Sequence, residues 1–81
     1  MDDKREQTRM RRLKEGRLVF NGKKSVMSCI VSDASNCGAR VTVGEPYLVP
    51  YEFDFLMIGQ PTRPARKIWV RNNEMGVQFT A

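Results

Sequence analysis

The residues whose types and spacing could hold a ligand lie in a short link, Asp33-Ala34-Ser35-Asn36-Cys37-Gly38. Within it a carboxylate, a hydroxyl and a glycine form the pattern Asp33-x-Ser35-x-x-Gly38. The carboxylate can accept hydrogen bonds from the N1 and exocyclic amine of a guanine, the hydroxyl can bind a phosphate or position the loop, and glycine permits a ligand to approach the backbone closely. The same residue types are also typical of a tight turn between neighbouring strands. Local chemistry alone leaves both interpretations open.

A second set of side chains that could bind a ligand is concentrated near the N-terminus. Residues 1–24 carry nine basic and four acidic side chains, whereas the rest of the chain carries five of each, so the formal net charge of +5 belongs to the first part. Arg5 and Arg9 have the spacing R-x-x-x-R. The planar fork of an arginine can bind a phosphate through two hydrogen bonds, stack on a base, or pair with guanine O6 and N7. A simple solvated charge run is the alternative interpretation.

Enzyme chemistry has little support in this composition. The chain contains no histidine, which removes the commonest general base and the commonest nitrogen ligand for a metal. Cys29 and Cys37 are too few for a disulfide framework and lack metal-ligand spacing, so we expect a buried strand residue and a turn residue, respectively. We therefore expect a protein that is not an enzyme and holds neither a metal nor a cofactor.

The chain also lacks the marks of a secreted or membrane-inserted protein. No apolar run is long enough to span a bilayer, and the charged N-terminus has no apolar signal segment. We expect a cytoplasmic protein with reduced thiols and no membrane insertion.

Short segments with strand periodicity dominate the chain after the charged N-terminal region. Val41 and Val43 lie on one face of their segment, and Ile68 and Val70 face one way while Trp69 faces the other. A small open sheet could not shield both faces, so closure into a barrel is expected. We predict an all-β fold with a flexible basic arm over residues 1–15 and a barrel domain over residues 16–81. The predicted strands cover residues 17–21, 24–32, 39–43, 53–58, 66–71 and 75–80.

These patterns together resemble the PilZ domain family. The resemblance is carried by the R-x-x-x-R pair, by the D-x-S-x-x-G link, and by further stretches in the same order. It extends from about Arg5 to Phe79. The further stretches are Leu13-Lys14-x-Gly16 at the start of the first strand, Ile68-Trp69-Val70-Arg71 and Met75-Gly76-Val77-Gln78-Phe79.

The resemblance implies a six-stranded antiparallel barrel that binds the bacterial second messenger cyclic di-GMP and signals to a separate effector protein in motility or biofilm formation. By the same resemblance, Arg5 and Arg9 would bind guanine edges and phosphates. Asp33 and Ser35 would contact a guanine and the nearby backbone or phosphate, and Gly38 would allow close approach. Secondary site residues would be Arg11, Arg12, Trp69 and Arg71.

Several alternatives stay open. Arg12 and Arg17 form a rival arginine pair of the wrong spacing, whereas the Arg5–Arg9 pair leaves the L-K-x-G start aligned. Trp69 either packs on the barrel or forms a wall of the ligand site. A small basic barrel that binds RNA or DNA is a less favoured function, because few aromatic side chains are available for stacking. A purely protein-binding adaptor is the third function.

Overall fold

The computed structural model describes residues 14–80, and within them the chain forms a closed barrel. Neighbouring strands are all antiparallel, in the order β1-β2-β3-β6-β5-β4, and β4 pairs with β1 to close the ring. This confirms the predicted all-β, six-stranded antiparallel barrel. The strands are β1 (Lys14–Phe20), β2 (Ser25–Ala34), β3 (Gly38–Val43), β4 (Glu52–Met57), β5 (Arg63–Arg71) and β6 (Glu74–Phe79), and a 3₁₀ helix (Pro46–Leu48) lies between β3 and β4.

Alternating apolar side chains fill the interior of the barrel. Val41 and Val43 on β3 are buried as the sequence alternation predicts, and Phe53 and Phe55 on β4 are buried in the same alternating pattern. Removal of such side chains from water is the main favourable contribution to folding, and a closed barrel shields them without leaving an exposed sheet edge. The remaining buried side chains are Leu18, Cys29, Val31, Val49, Ala65, Met75 and Val77.

Two β-bulges interrupt the alternation. The β2–β3 register shifts between Val31 and Asp33, and the β5–β6 register shifts between Lys67 and Trp69. Val31 is buried, so strict alternation would turn Asp33 inward as well, but the extra residue turns Asp33 outward. The second bulge leaves Ile68 and Trp69 both exposed, at 53% and 40%. The prediction that Ile68 shares a face with Val70 is therefore wrong, because the bulge shifts the phase of the strand.

Two strands begin three residues earlier than predicted, and the other four begin within one residue of the prediction. β1 starts at Lys14 instead of residue 17, because its polar first residues continue the backbone pairing with β2, as in Lys14 opposite Val31. β5 starts at Arg63 instead of residue 66, and Pro64 is tolerated there on an exposed position opposite Asp54. Lys14 and Glu15 of the predicted arm thus belong to β1, and the rest of the arm lies outside the described residues.

The loop between β3 and β4 is fastened by a lysine of β5. Lys67 Nζ donates to the carbonyl oxygens of Val49 at 2.6 Å and Pro46 at 3.3 Å, while the Lys67 backbone N–H donates to the carbonyl oxygen of Tyr51 at 2.8 Å.

Between residues 14 and 80 no helix has the length and apolar character needed to cross a membrane.

Candidate functional site

The Asp33–Gly38 link is a tight turn held by its own serine. The Ser35 backbone N–H donates to the carbonyl of Gly38 at 2.8 Å, and the Cys37 backbone N–H donates to Ser35 Oγ at 3.2 Å. A further bond, from the Phe79 N–H to the Cys37 carbonyl at 2.8 Å, ties the turn to β6. Ser35 therefore positions the loop, which is one of the two roles considered from the sequence.

Gly38 has a packing reason to be glycine. A Cβ at this position would lie 2.2 Å from the carbonyl oxygen of Val77 on β6. Backbone atoms of a paired strand cannot easily move aside, so any side chain here would disturb the pairing of β3 with β6. This requirement holds without a ligand, and so the glycine is not evidence for close ligand approach.

The link borders a surface cavity of about 230 Å³, which we call the link cleft. One row of residues crosses it on four neighbouring strands, because Asp33 pairs with Arg40, Arg40 with Gly76, and Gly76 with Trp69. Asp33 and Trp69 are far apart in sequence, and the two bulges bring them to the same outer surface. The lining residues are Asp33, Ala34, Ser35, Gly38, Ala39, Arg40, Ile68, Trp69 and Gly76.

Trp69 forms a wall of the link cleft and also packs on the barrel. A Cβ at Gly76 would lie 2.1 Å from Trp69 Nε1 and 2.5 Å from Cε2, so the indole lies directly over Gly76. The side chain is still 40% exposed. The two interpretations of Trp69 are thus compatible, since the ring has both a barrel contact and an accessible surface.

Asp33 lies between two cavities. It is exposed, and within residues 14–80 its carboxylate has no hydrogen-bond or ion-pair partner. The neighbouring cavity, of about 370 Å³, is lined by Lys14, Val31, Ser32, Asp33, Ala34 and Met57. Lys14, the first residue of β1, therefore lines the same cavity as Asp33.

The structure brings several of the predicted site residues together. Asp33, Ser35, Gly38 and Trp69 all line the link cleft. Arg71 does not line it; this residue is exposed at the end of β5, opposite Glu74. The predicted site residues Arg5, Arg9, Arg11 and Arg12 lie outside the described residues.

Besides Ala34 and Ala39, three lining residues are absent from the predicted site: Arg40, Ile68 and Gly76. The alternation of Val41 with Val43 predicts that Arg40 faces outward, but the pairing of β3 with β6 connects distant segments and has no local signal. The role of Gly76 depends on the ring of Trp69 above it, which comes from another strand.

Among residues 14–80, the cysteines and acidic residues form no obvious reactive centre. Burial raises the pKa of the Cys29 thiol to about 11, because the low-dielectric interior disfavours the thiolate, so Cys29 is a poor nucleophile at neutral pH. Cys37 is exposed in the turn. In the part of the chain that the structure describes, no three histidine, cysteine or acidic side chains are grouped so that they could hold a metal ion.

Comparison with protein families, with curated proteins and with solved structures finds no match to this chain. The assignment of the link cleft consequently depends on its own geometry and chemistry.

Proposed function

We propose that this protein is a non-catalytic cytoplasmic receptor of the PilZ type that binds cyclic di-GMP at the link cleft. The supporting observation is the convergence of Asp33 and Trp69, from opposite halves of the chain, on one cavity beside the Ser35 turn. A carboxylate without a partner among residues 14–80, an accessible indole and a cationic N-terminal sequence match a ligand that carries two guanines and two phosphates.

The size of the cavities favours a ligand that extends beyond the link cleft. Pockets for drug-sized ligands usually measure about 300–1,000 Å³. The link cleft, at about 230 Å³, is too small for such a ligand but large enough for one base stacked on Trp69. The neighbouring cavity of about 370 Å³ is lined by both Asp33 and Lys14, and it would hold the rest of the ligand.

The sequence distance to Lys14 allows Arg9 to reach the cavity that Lys14 and Asp33 line. Arg9 precedes Lys14 by five residues, and an extended chain of five residues spans at most about 17 Å. Arg5 and Arg9 would supply cations for the phosphates and donors for the guanine edges. Binding would thereby order a charged surface that a separate effector protein of motility or biofilm formation recognises.

Calorimetric titration with cyclic di-GMP tests this function, with GTP and a short oligonucleotide as parallel ligands. We expect saturable binding at micromolar or lower concentration to the cyclic dinucleotide alone. Replacement Asp33→Ala or Arg9→Ala should weaken it about tenfold or more, since each removes a charge-assisted hydrogen bond. Lys24→Ala is the control, because Lys24 is an exposed cation of the turn that precedes β2, at the strand's opposite end from the link.

Other outcomes of the titration would favour a different function or a different site. Binding of the oligonucleotide alone, with a steep dependence on salt, would favour a nucleic-acid function for the basic segment. Failure to bind any of the three ligands would favour a protein-binding adaptor. Full affinity in both Asp33→Ala and Arg9→Ala would contradict the assigned site.

A further inference from the structure

We infer that Arg40 is a further ligand-binding residue of the link cleft, which donates to an anionic oxygen of the ligand and is positioned by Ser32. The inference rests on the proposed cyclic di-GMP function and assigns one of its phosphates to a residue of the barrel itself. Arg40 belongs neither to the R-x-x-x-R pair nor to the D-x-S-x-x-G link.

The strand register places Arg40 at the centre of the cleft. It lies directly opposite Asp33 on one side and opposite Gly76 on the other. Neighbouring strands are about 4.8 Å apart, so Arg40 is one strand from Asp33 and two strands from Trp69. Because Gly76 has no side chain, nothing on β6 stands between Arg40 and the indole.

Ser32, the extra residue of the β2 bulge, fixes the position of Arg40. Arg40 Nε donates to Ser32 Oγ at 3.4 Å, while Ser32 Oγ donates to the Arg40 carbonyl oxygen at 3.2 Å. The Ser32 hydroxyl therefore bonds to both the side chain and the backbone carbonyl of Arg40. A side chain held in this way loses less conformational entropy when it binds a ligand.

The guanidinium remains available although a carboxylate is its neighbour in the register. Asp33 and Arg40 are cross-strand partners of opposite charge, yet no ion pair forms between them. Among residues 14–80, neither terminal nitrogen of Arg40 has a hydrogen-bond or ion-pair partner. With respect to the described part of the chain, an acceptor and a donor of full charge are therefore both free to bind a ligand.

The row offers the three kinds of contact that a guanine nucleotide can make. Asp33 offers an acceptor for the donor edge of a guanine, and Trp69 offers a face for its ring. Arg40 lies between them, and the planar set of donors on its guanidinium matches the geometry of a phosphate. The same row would also discriminate against an adenine ring, whose N1 is an acceptor and would face the Asp33 carboxylate.

Titration of Arg40→Gln with cyclic di-GMP tests the inference, beside Arg71→Gln as a matched control. Arg71 is likewise an exposed arginine, and it lines neither cavity. We expect Arg40→Gln to weaken binding about tenfold or more and Arg71→Gln to change it less than about twofold. Arg40→Lys should recover part of the loss, because the charge returns without the fork. Melting temperatures of all three variants should match that of the parent protein.

The role of Ser32 is tested in the same titration. Ser32→Ala should weaken binding a few-fold, and the double variant Ser32→Ala/Arg40→Gln should bind no more weakly than Arg40→Gln alone. Additive losses would contradict the positioning role. Equal affinities for Arg40→Gln and Arg71→Gln would overturn the inference while leaving the receptor function intact. A parent protein that does not bind cyclic di-GMP at all would overturn both.

Discussion

Gly38 and Gly76 both line the link cleft, and each position excludes a side chain for a different reason. Gly38 approaches the backbone of β6, where a Cβ would lie 2.2 Å from a carbonyl oxygen. Gly76 lies beneath the indole of Trp69, where a Cβ would lie 2.1 Å from Nε1. The first glycine permits strand pairing, and the second permits an aromatic side chain to lie on the barrel surface.

Replacement Gly38→Ala should destabilise the fold before any ligand is considered. Overpacking of this kind costs about 1–3 kcal/mol, which lowers the melting temperature of a domain this size by about 4–8 °C for each kcal/mol. Gly44→Ala is the matched control, because a Cβ at Gly44 would meet no atom within 4 Å. Thermal unfolding followed by circular dichroism measures both. A Gly38→Ala melting temperature equal to that of Gly44→Ala would show that the β3–β6 pairing adjusts without cost.

At the level of strands, the sequence predicts the fold well and the cleft only in part. The alternation of Val41 with Val43 and of Phe53 with Phe55 is enough to identify half-buried strands and their inner faces. The bulge at Ile68 is not predictable in this way, because Lys67-Ile68-Trp69 contains no glycine or other local mark of an extra residue. The position of Trp69 relative to Asp33 depends on that bulge and on pairings between distant strands.

The loop between β3 and β4 should depend on Lys67 for its order. Lys67→Met keeps the aliphatic stem but removes the donors to Val49 and Pro46, and we expect a loss of about 1–3 kcal/mol, the usual range for hydrogen bonds from a charged group. Lys24→Met, in an exposed turn, is the control and should change stability by less than about 0.5 kcal/mol. Urea unfolding gives both values.

Hydrogen exchange would locate the effect of Lys67→Met. The amide of Val49, which donates to Pro46 at 3.2 Å, should exchange faster in this variant, while the amides of paired strands should change only with global stability. Unchanged exchange at Val49 would mean that packing of its buried side chain holds the loop without the lysine.

The proposed function assigns stability mainly to the barrel and part of ligand binding to the N-terminal segment. Every element of the barrel, from β1 to β6, lies within residues 14–80, and the buried side chains of this region form one continuous cluster. Residues 1–13, which precede the barrel, carry five basic and three acidic side chains, so they contribute +2 of the net charge of +5, and residues 14–81 contribute +3. Under the proposed function, the apolar cluster of the barrel stabilises the fold, and the N-terminal arginines add to the positive charge that attracts a phosphate ligand.

Removal of residues 1–12 should consequently separate the two properties. We expect the shortened chain to retain the circular dichroism spectrum of the barrel and to melt within about 4 °C of the full chain, a difference that corresponds to less than about 1 kcal/mol. Its affinity for cyclic di-GMP should fall at least about a hundredfold, because the two proposed arginine contacts would be lost together. The full-length double variant Arg5→Gln/Arg9→Gln is the matched control and should reproduce the loss without a change in chain length. Full affinity in the shortened chain would exclude the arginines from the site, and a shortened chain that fails to fold would show that the segment contributes to the core.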